Sequence, residues 1–581
     1  MKQSRYATLS GIQWLIPIGI LVLICGAYME VNKLDFTNWD DPVYVKDNSL
    51  IRHTDNAGIH KMFTTYVSGN YHPLTIASLA WDYQRGGLKP EVYHQTNLVL
   101  HVLNVALVFF IFFRLLKGEW FPVILISLFF GLHPMKVESV AWVSERKDVL
   151  YAFFWLAAWL SYIHYRQSGK VIYFILTHGL FLFSLLSKAM AVTLIPALIL
   201  TDFLMDRPWS WRWIKEKVFM TLPAIGAGIV AILAQREAAA IGNSEYYTPF
   251  HQFLTACHGI LFYLGKAFLP LNLCAFYPYP PKDTLPILFM VAPFLLLGLM
   301  IGIGLIWQKT GFRPLMFGAL FYLILLFPVL QWLPVGNAIA ADRYFYLSSI
   351  GVIVPLAVFL TNWIKQKSTY RWPIYLGCVA LLAWFGILTR TQVKTWQNSI
   401  TLFTRVAELY PNIPEPYNNL GIEWGKQGNQ RKAIENYLKV VSIQPDFGLA
   451  YNNLGNAYGM LGQYDSAYFY LEKALQIKPS ANAWSNMGNA LGMLGKRDEA
   501  RQAFLKSIEL DPGFHESYHN LGASYAMAGD FTTAVPYFKK SLEILPDYAE
   551  AWRSLGITYQ YLGDSTEARR CLQQAERFGK R

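Results

Sequence analysis

The chain reads as an all-α protein in two parts, a polytopic membrane helix bundle followed by a helical-repeat solenoid. Composition carries the first part. The 581 residues are 54% hydrophobic, 16% aromatic and only 15% charged, whereas a soluble domain carries about a quarter charged residues. Residues 1–389 are apolar runs broken by short basic loops, and 400–581 has an ordinary soluble composition. A recurring pattern carries the second part. Tyr417-Asn-Asn-Leu-Gly421, Tyr451-Asn-Asn-Leu-Gly455, Trp484-Ser-Asn-Met-Gly488, Tyr518-His-Asn-Leu-Gly522 and Trp552-Arg-Ser-Leu-Gly556 place their glycines 34, 33, 34 and 34 residues apart.

A helix in a hydrocarbon core about 30 Å thick needs about 20 mostly apolar residues. About eleven candidate spans follow: 11–28, 97–116, 121–134, 149–165, 171–187, 190–205, 217–234, 285–307, 314–332, 347–363 and 373–389. The run 11–28 follows Lys2 and Arg5 without a cleavage site of Ala-x-Ala type, which predicts an uncleaved anchor. Alternate connections are basic: Lys2 and Arg5; Arg114 and Lys117; Arg166 and Lys170; the Arg207–Lys217 group; Lys309 and Arg313; Lys365, Lys367 and Arg371. Placing that set in the cytoplasm satisfies the positive-inside rule. A twelfth apolar stretch, 251–270, holds His251, His258 and Lys266 and would reverse the loop at Lys309, so a re-entrant or interfacial helix is expected there. The amino terminus is then cytoplasmic. The loop 29–96, the connections 135–148, 187–188, 235–284 and 333–346, and the repeats all face the other compartment.

The same placement explains the net charge of +12. The cations sit at span ends, so nucleic acid is not an expected partner. The five cysteines form no CxxC or zinc-like spacing, and neither a metal nor a cofactor is expected. A Walker loop, a GxGxxG fingerprint and an HExxH are all absent, which argues against a nucleotide-driven pump. The spans also lack the matched Gly/Pro-broken pair of a secondary transporter.

Chemistry concentrates in the outward connections. The long first loop, 29–96, holds Asp40-Asp41 before Pro42. Crowded carboxylates raise one pKa, which suits a general base for a hydroxyl; the plainer alternative is a solvated acidic turn. His72 and His94 follow in the same loop. Asn97, His101 and Asn104 then share one face of the second span. Such a face points into protein or a cavity, or bonds helix to helix. The next outer connection carries Glu138 and the run Ser144-Glu145-Arg146-Lys147-Asp148; Lys188 and Arg343 add two more outer cations. These pair with internal carboxylates or grip a lipid-linked phosphate.

An acidic pair early in a long first outer loop, then Pro73-Leu74-Thr75, then His94-x-x-Asn97-x-x-x-His101, resembles the protein O-mannosyltransferase superfamily. With His133-Pro134…Glu138-Ser139-Val140, Ala341-Asp342-Arg343-Tyr344…Leu347-Ser348-Ser349 and the repeats behind, the order resembles the TMTC-type (transmembrane and TPR repeat-containing) proteins. The resemblance implies a GT-C type bundle. Such an enzyme passes a sugar, mannose or another hexose, from a polyprenyl-phosphate donor to an acceptor hydroxyl of protein Ser or Thr. Asp40 matches the catalytic acidic residue of the loop and Asp41 its acidic neighbour. Arg343 matches an Arg that follows Glu in the family, where this chain has Asp342; His72 stands where Arg is common. Arg343, Arg146, Lys147 and Lys188 are the expected phosphate ligands, with His72, His94, Asn97, His101 and Glu138 lining the site. An O-antigen-ligase-like transferase, whose long outer loop usually lies late in the bundle, and a non-enzymatic membrane scaffold are the alternatives.

The repeat spacing is the tetratricopeptide period. Ala433, Ala467, Ala500, Ala534 and Ala568, with Pro411, Pro445, Pro479, Pro512 and Pro546, are expected packing and punctuation positions. Asn419, Asn453, Asn486 and Asn520 recur at one point of the first helix, and Ser554 ends the series. A row of amides along a concave groove can clamp a peptide backbone, similar to the asparagine ladder of O-GlcNAc transferase; hydrogen bonding within the repeat is the alternative. The expected layout is a membrane domain over 1–389, a helical joint over 390–410 in which Trp396 and Phe403 dock the repeats, and five repeats over 411–581. The membrane is a bacterial inner membrane with periplasmic repeats, or an endoplasmic-reticulum membrane with luminal ones.

Overall fold

A computed structural model describes residues 11–207, 211–237, 248–280, 285–332, 336 and 338–579; Lys2 and Arg5 lie outside them. Two compact units result, residues 1–409 and 410–581.

In the first unit, α1 (Leu15–Ala27) leads into a loop that carries two short helices, α2 (Asn56–Thr64) and α3 (Pro73–Gly86). Next come α4 (Pro90–Leu115), α5 (Trp120–Leu132), the single turn α6 (Val137–Ala141), α7 (Arg146–Ser168), α8 (Val171–Ser187), α9 (Leu194–Leu204), α10 (Trp211–Glu237) and α11 (Pro249–Lys266). The unit closes with α12 (Ile287–Thr310), α13 (Arg313–Leu326), α14 (Phe345–Gln366), α15 (Arg371–Thr395) and α16 (Ser399–Leu409). A two-stranded antiparallel ribbon pairs Tyr277–Pro278 with Ala338–Ala340.

This is a multi-pass membrane helix bundle, with fewer full-length spans than the eleven expected. Among the described residues six helices are long and apolar enough to cross a bilayer, or seven if α5 and the 134–141 segment, bent by 51°, count as one. Every other expected span is also helical, but short or polar. The segments Val171–Ser187, Ala189–Leu204 and Arg313–Val329 hold 10–17 residues each. At 1.5 Å per residue they reach about 25 Å at most, less than the hydrocarbon core. Helix α7 has 23 residues, but its Trp, Tyr, His and Arg lower its hydropathy. Buried protein surrounds it: Trp155, Trp159 and Ile163 are fully enclosed. A helix packed mostly against protein has less need of a lipid-like surface. Helix α11 is amphipathic, with Phe250 and Phe253 exposed and Leu254 and Cys257 buried, as an interfacial helix requires.

The basic connections gather at one end of the body. Arg166 of α7 pairs with Asp202 of α9 and Glu216 of α10, both at 2.7 Å. Lys217 reaches Asp202 at 3.1 Å, Lys365 reaches Glu119 at 2.6 Å, and Arg313 pairs with Asp206. Between the ends, α13 and α14 cross at Gly318 and Gly351. A Cβ on Gly318 would lie 2.4 Å from the carbonyl oxygen of Gly351, so only hydrogen fits the crossing.

In the second unit ten helices form five antiparallel pairs, from Glu415–Lys426 to Ser565–Gly579. The repeat glycines let the paired helices touch. A Cβ on Gly421, Gly455 or Gly488 would lie 2.4–2.5 Å from the side chain of Tyr437, Leu471 or Phe504. The repeat alanines are almost fully buried.

Candidate active site

The acidic pair divides its duties. Asp41 is buried and saturated: Oδ2 accepts from the N–H of Thr37 at 2.8 Å and its hydroxyl at 3.1 Å, and Oδ1 accepts from the N–H of Ser144 at 3.0 Å and its hydroxyl. It ties the first loop to the turn before α7. Trp39, on the other side, packs among Trp142, Phe276 and Phe403, with ring centres 5.3–6.0 Å apart. With both neighbours fixed, Asp40 is held between them. Its half-buried carboxylate accepts no hydrogen bond among the described residues. Burial raises its pKa; Lys147 and Arg343 lower it and Glu145 adds to the rise. Burial also raises the pKa of Asp41, against the hydrogen bonds from Ser144 and Thr37.

Beyond Asp40 lies a cluster of charge. Arg343, in the turn that opens α14, donates to Glu138 from its backbone N–H at 3.0 Å and from Nη1. Its Nε stands 3.4 Å from Glu145. Lys147 lies 3.1 Å from Glu145 and sits over the Tyr44 ring at 4.8 Å. Lys188 pairs with Asp148 and stands 3.8 Å from Glu145. Glu145 is 1% exposed, yet the cations outweigh its burial and hold its carboxyl well below the usual range. His72 stacks on Tyr44 with ring centres 5.4 Å apart. Burial, with Lys147 and Lys188 nearby, lowers its pKa to about 3, so it is neutral, and its buried Nε2 has no hydrogen-bond partner among the described residues.

Asp40, Arg343, Lys147, Lys188, Glu138 and His72 are therefore brought to one end of the bundle. Arg146 is not, which corrects the expectation that it holds phosphate. Its guanidinium is fully buried and spent: Nε donates to Asn97, Nη1 to Ser78 at 2.6 Å, and Nη2 to Asp82 at 2.6 Å and to the Tyr93 carbonyl at 2.9 Å. Asn97 likewise serves Arg146 and, through Nδ2, the carbonyls of Val140 and Trp142, both at 3.2 Å. His101 bonds Tyr346 at 2.7 Å and Gly131 at 3.2 Å inside the bundle, and Asn104 donates to Tyr346 at 3.1 Å. His94 is fully buried beside the backbone of Asp35. Asn97, His101 and Asn104 bond between segments of the bundle, His94 is buried against the first loop, and none of the four is paired with the charged cluster.

Glu145 and Asp148, by contrast, complete the cluster without having been singled out by the sequence. The available signal was the alternation of acid and base over Glu145-Arg146-Lys147-Asp148. The expected docking residues Trp396 and Phe403 are both buried in the first unit, against Trp142 and Trp39 respectively.

In the repeats, the asparagines bond chiefly between neighbouring units. Asn453 Nδ2 donates to Asn418 at 3.3 Å, Asn486 to Asn452 at 3.0 Å, and Asn520 to the Ser485 hydroxyl at 3.2 Å. Asn419 caps back onto the Glu415 carbonyl at 2.9 Å. All four stay half-buried.

Models of the tetratricopeptide repeat match residues 426–462, 448–480, 479–547 and 513–581. Protein O-mannosyl-transferase F38B6.6 of Caenorhabditis elegans is 24% identical over 386 residues, covering 63% of this chain and 53% of the relative. Protein O-mannosyl-transferase TMTC4 of Homo sapiens is 24% identical over 503 residues, covering 73% and 65%. An alignment over 73% of the chain cannot be confined to residues 410–581 and must extend into the membrane unit. The chain is similar to the TMTC-type protein O-mannosyl-transferases. It spans about half to two-thirds of the length of these two relatives. A solved structure of MamA aligns with 28% of this chain and 95% of its own, at 26% identity and a TM-score of 0.25.

Proposed function

We propose that the chain is an integral-membrane, GT-C type glycosyltransferase. It moves a sugar, mannose or another hexose, from a polyprenyl-phosphate donor to a hydroxyl of protein Ser or Thr. The observation that carries the reading is the split within the acidic pair: Asp41 is consumed by four hydrogen bonds, while Asp40 keeps a free carboxylate beside Lys147 and Arg343.

In this mechanism Asp40 accepts the proton of the acceptor hydroxyl. The oxygen attacks the anomeric carbon as the bond from that carbon to the phosphate oxygen breaks, with inversion. The departing electron pair becomes phosphate charge, held by Arg343, Lys147 and Lys188. Phosphate leaves readily, so the general acid of glycoside hydrolysis is not required. Glu138 orients Arg343 through two hydrogen bonds.

The printed names of the relatives support a protein acceptor. The tetratricopeptide unit supports its capture: a segment held by the repeats meets the site at raised effective concentration. The positive-inside pattern supports a site and repeats in one non-cytoplasmic compartment, periplasm or endoplasmic-reticulum lumen.

The test is sugar transfer from a polyprenyl-phosphate donor to a Ser/Thr peptide by membranes carrying the full chain. Asp40→Asn is expected to lower turnover about 10²–10⁴-fold with the protein still folded. Undiminished transfer by that variant would overturn the role of Asp40, and transfer no greater than that of membranes lacking the chain would overturn the reading and favour a scaffold.

A further inference from the structure

The reaction above makes no use of Glu145, although its carboxylate is the hub of the charged cluster. It lies within 4 Å of three cations: Lys147 at 3.1 Å, Arg343 at 3.4 Å and Lys188 at 3.8 Å. Its side chain is 1% exposed, whereas theirs keep 9, 20 and 17% of their surface. The acid is the floor and the bases are the rim.

The rim has donors to spare. Nη2 of Arg343 has no partner among the described residues, because Glu138 takes Nη1 and the backbone N–H. Among the described residues, Lys147 meets no carboxylate other than Glu145 within ion-pair distance. Its three N–H groups exceed what that contact and the rings of Tyr44 and Trp142 consume. Lys188, by contrast, is shared with Asp148. Three cations thus stand against Glu138, Glu145 and Asp148, with the Asp40 carboxylate beside them, so the set has no surplus of positive charge although Arg343 and Lys147 have donors left for one phosphate. A sugar phosphodiester brings one negative charge, and a diphosphate diester brings two. Neither meets a surplus cation: one charge is held by the spare N–H donors alone, and a second adds a further repulsion among buried carboxylates that the first does not bring.

We propose that Glu145 is a specificity-determining positioning residue: it fixes the charge of the rim so that a singly charged phosphodiester is accepted and a diphosphate is rejected. It acts through Lys147, Lys188 and Arg343 and touches neither reacting atom. The proposal rests on the reading that these cations hold the donor phosphate. Rejection by an uncompensated charge is a common route to specificity.

The experiment is equilibrium binding of two probes to the full-length protein in detergent. The methyl ester of farnesyl phosphate carries one charge, and the methyl ester of farnesyl diphosphate carries two. The native protein is expected to bind the first about tenfold more tightly. Glu145→Gln should erase or reverse that ratio, and Glu145→Asp, which keeps the charge, should retain it. Lys147→Gln should widen the ratio, and it serves where Glu145→Gln does not fold. A purely structural role for Glu145 would weaken both probes alike. An unchanged ratio in Glu145→Gln, or a native preference for the diphosphate, overturns this proposal and leaves the phosphate reading standing. Failure of the native protein to bind either probe removes both.

Discussion

Ser144 donates to Asp41 twice, from its backbone N–H at 3.0 Å and from its hydroxyl, so the first loop and the turn before α7 share one fastening. The two aspartates should therefore fail differently. Asp40→Asn is expected to cost about 10²–10⁴-fold in turnover, as loss of a general base does, with thermal stability unchanged. Asp41→Ala strands the donors of Thr37 and Ser144 and is expected to cost about 1–3 kcal/mol of stability. Thermal unfolding read beside transfer rates separates them; equal loss of stability in both variants contradicts the division.

The pH dependence follows from Asp40. Burial raises its pKa above the ordinary value of 3.8, and the base must be ionised to accept a proton. Transfer is therefore expected to fall as pH drops through that raised pKa, at a higher pH than an exposed carboxylate would give. A profile of kcat/KM against pH measures the acid limb, and the residual activity of Asp40→Asn should lack it.

Arg146 and Asp82 form a fully buried pair at 2.6 Å. Arg146→Gln leaves Asp82 with Arg85 at 3.3 Å and the Thr96 hydroxyl at 2.7 Å, and is expected to cost about 1.5–3 kcal/mol. The loss should appear as poor folding in detergent. Normal folding with selectively lost phosphate binding would return Arg146 to the donor site.

Gly488 faces the ring of Phe504, and a Cβ there would stand 2.5 Å from it. Gly488→Val is expected to cost about 1–3 kcal/mol through overpacking, seen as proteolytic nicking confined to the repeats. Asn486→Ala removes a bond to the preceding repeat and should cost about 0.5–1.5 kcal/mol.

Much of this was legible from residues alone. The repeats follow from glycines that each make room for one ring or Leu side chain, a requirement that recurs with the unit and so prints itself as a period. Helix positions were legible as apolar runs. The number of full-length spans was not, because three apolar runs form helices too short to cross and α7, largely packed in protein, has low hydropathy. Single-residue choices were hidden for a geometric reason. Arg146 and Lys147 are adjacent in the first turn of a helix and point about 100° apart, one to Asp82 and one to Glu145. Asp40 and Asp41 diverge likewise. Which neighbour faces the site depends on partners a hundred residues away, such as Ser144.

Asp35 and Asn38 are fastened to the far end of the same unit: the Asp35 N–H meets the Gln397 carbonyl at 2.9 Å and the Asn38 N–H meets the Ser399 hydroxyl at 2.9 Å. A fragment cut after residue 389 would keep every charged group of the cluster and still lose the brace beneath the loop that presents Asp40. The shortest piece fit for reconstitution accordingly runs through residue 409, and a protease clip between 390 and 400 would silence the membrane half while sparing all its ionisable side chains.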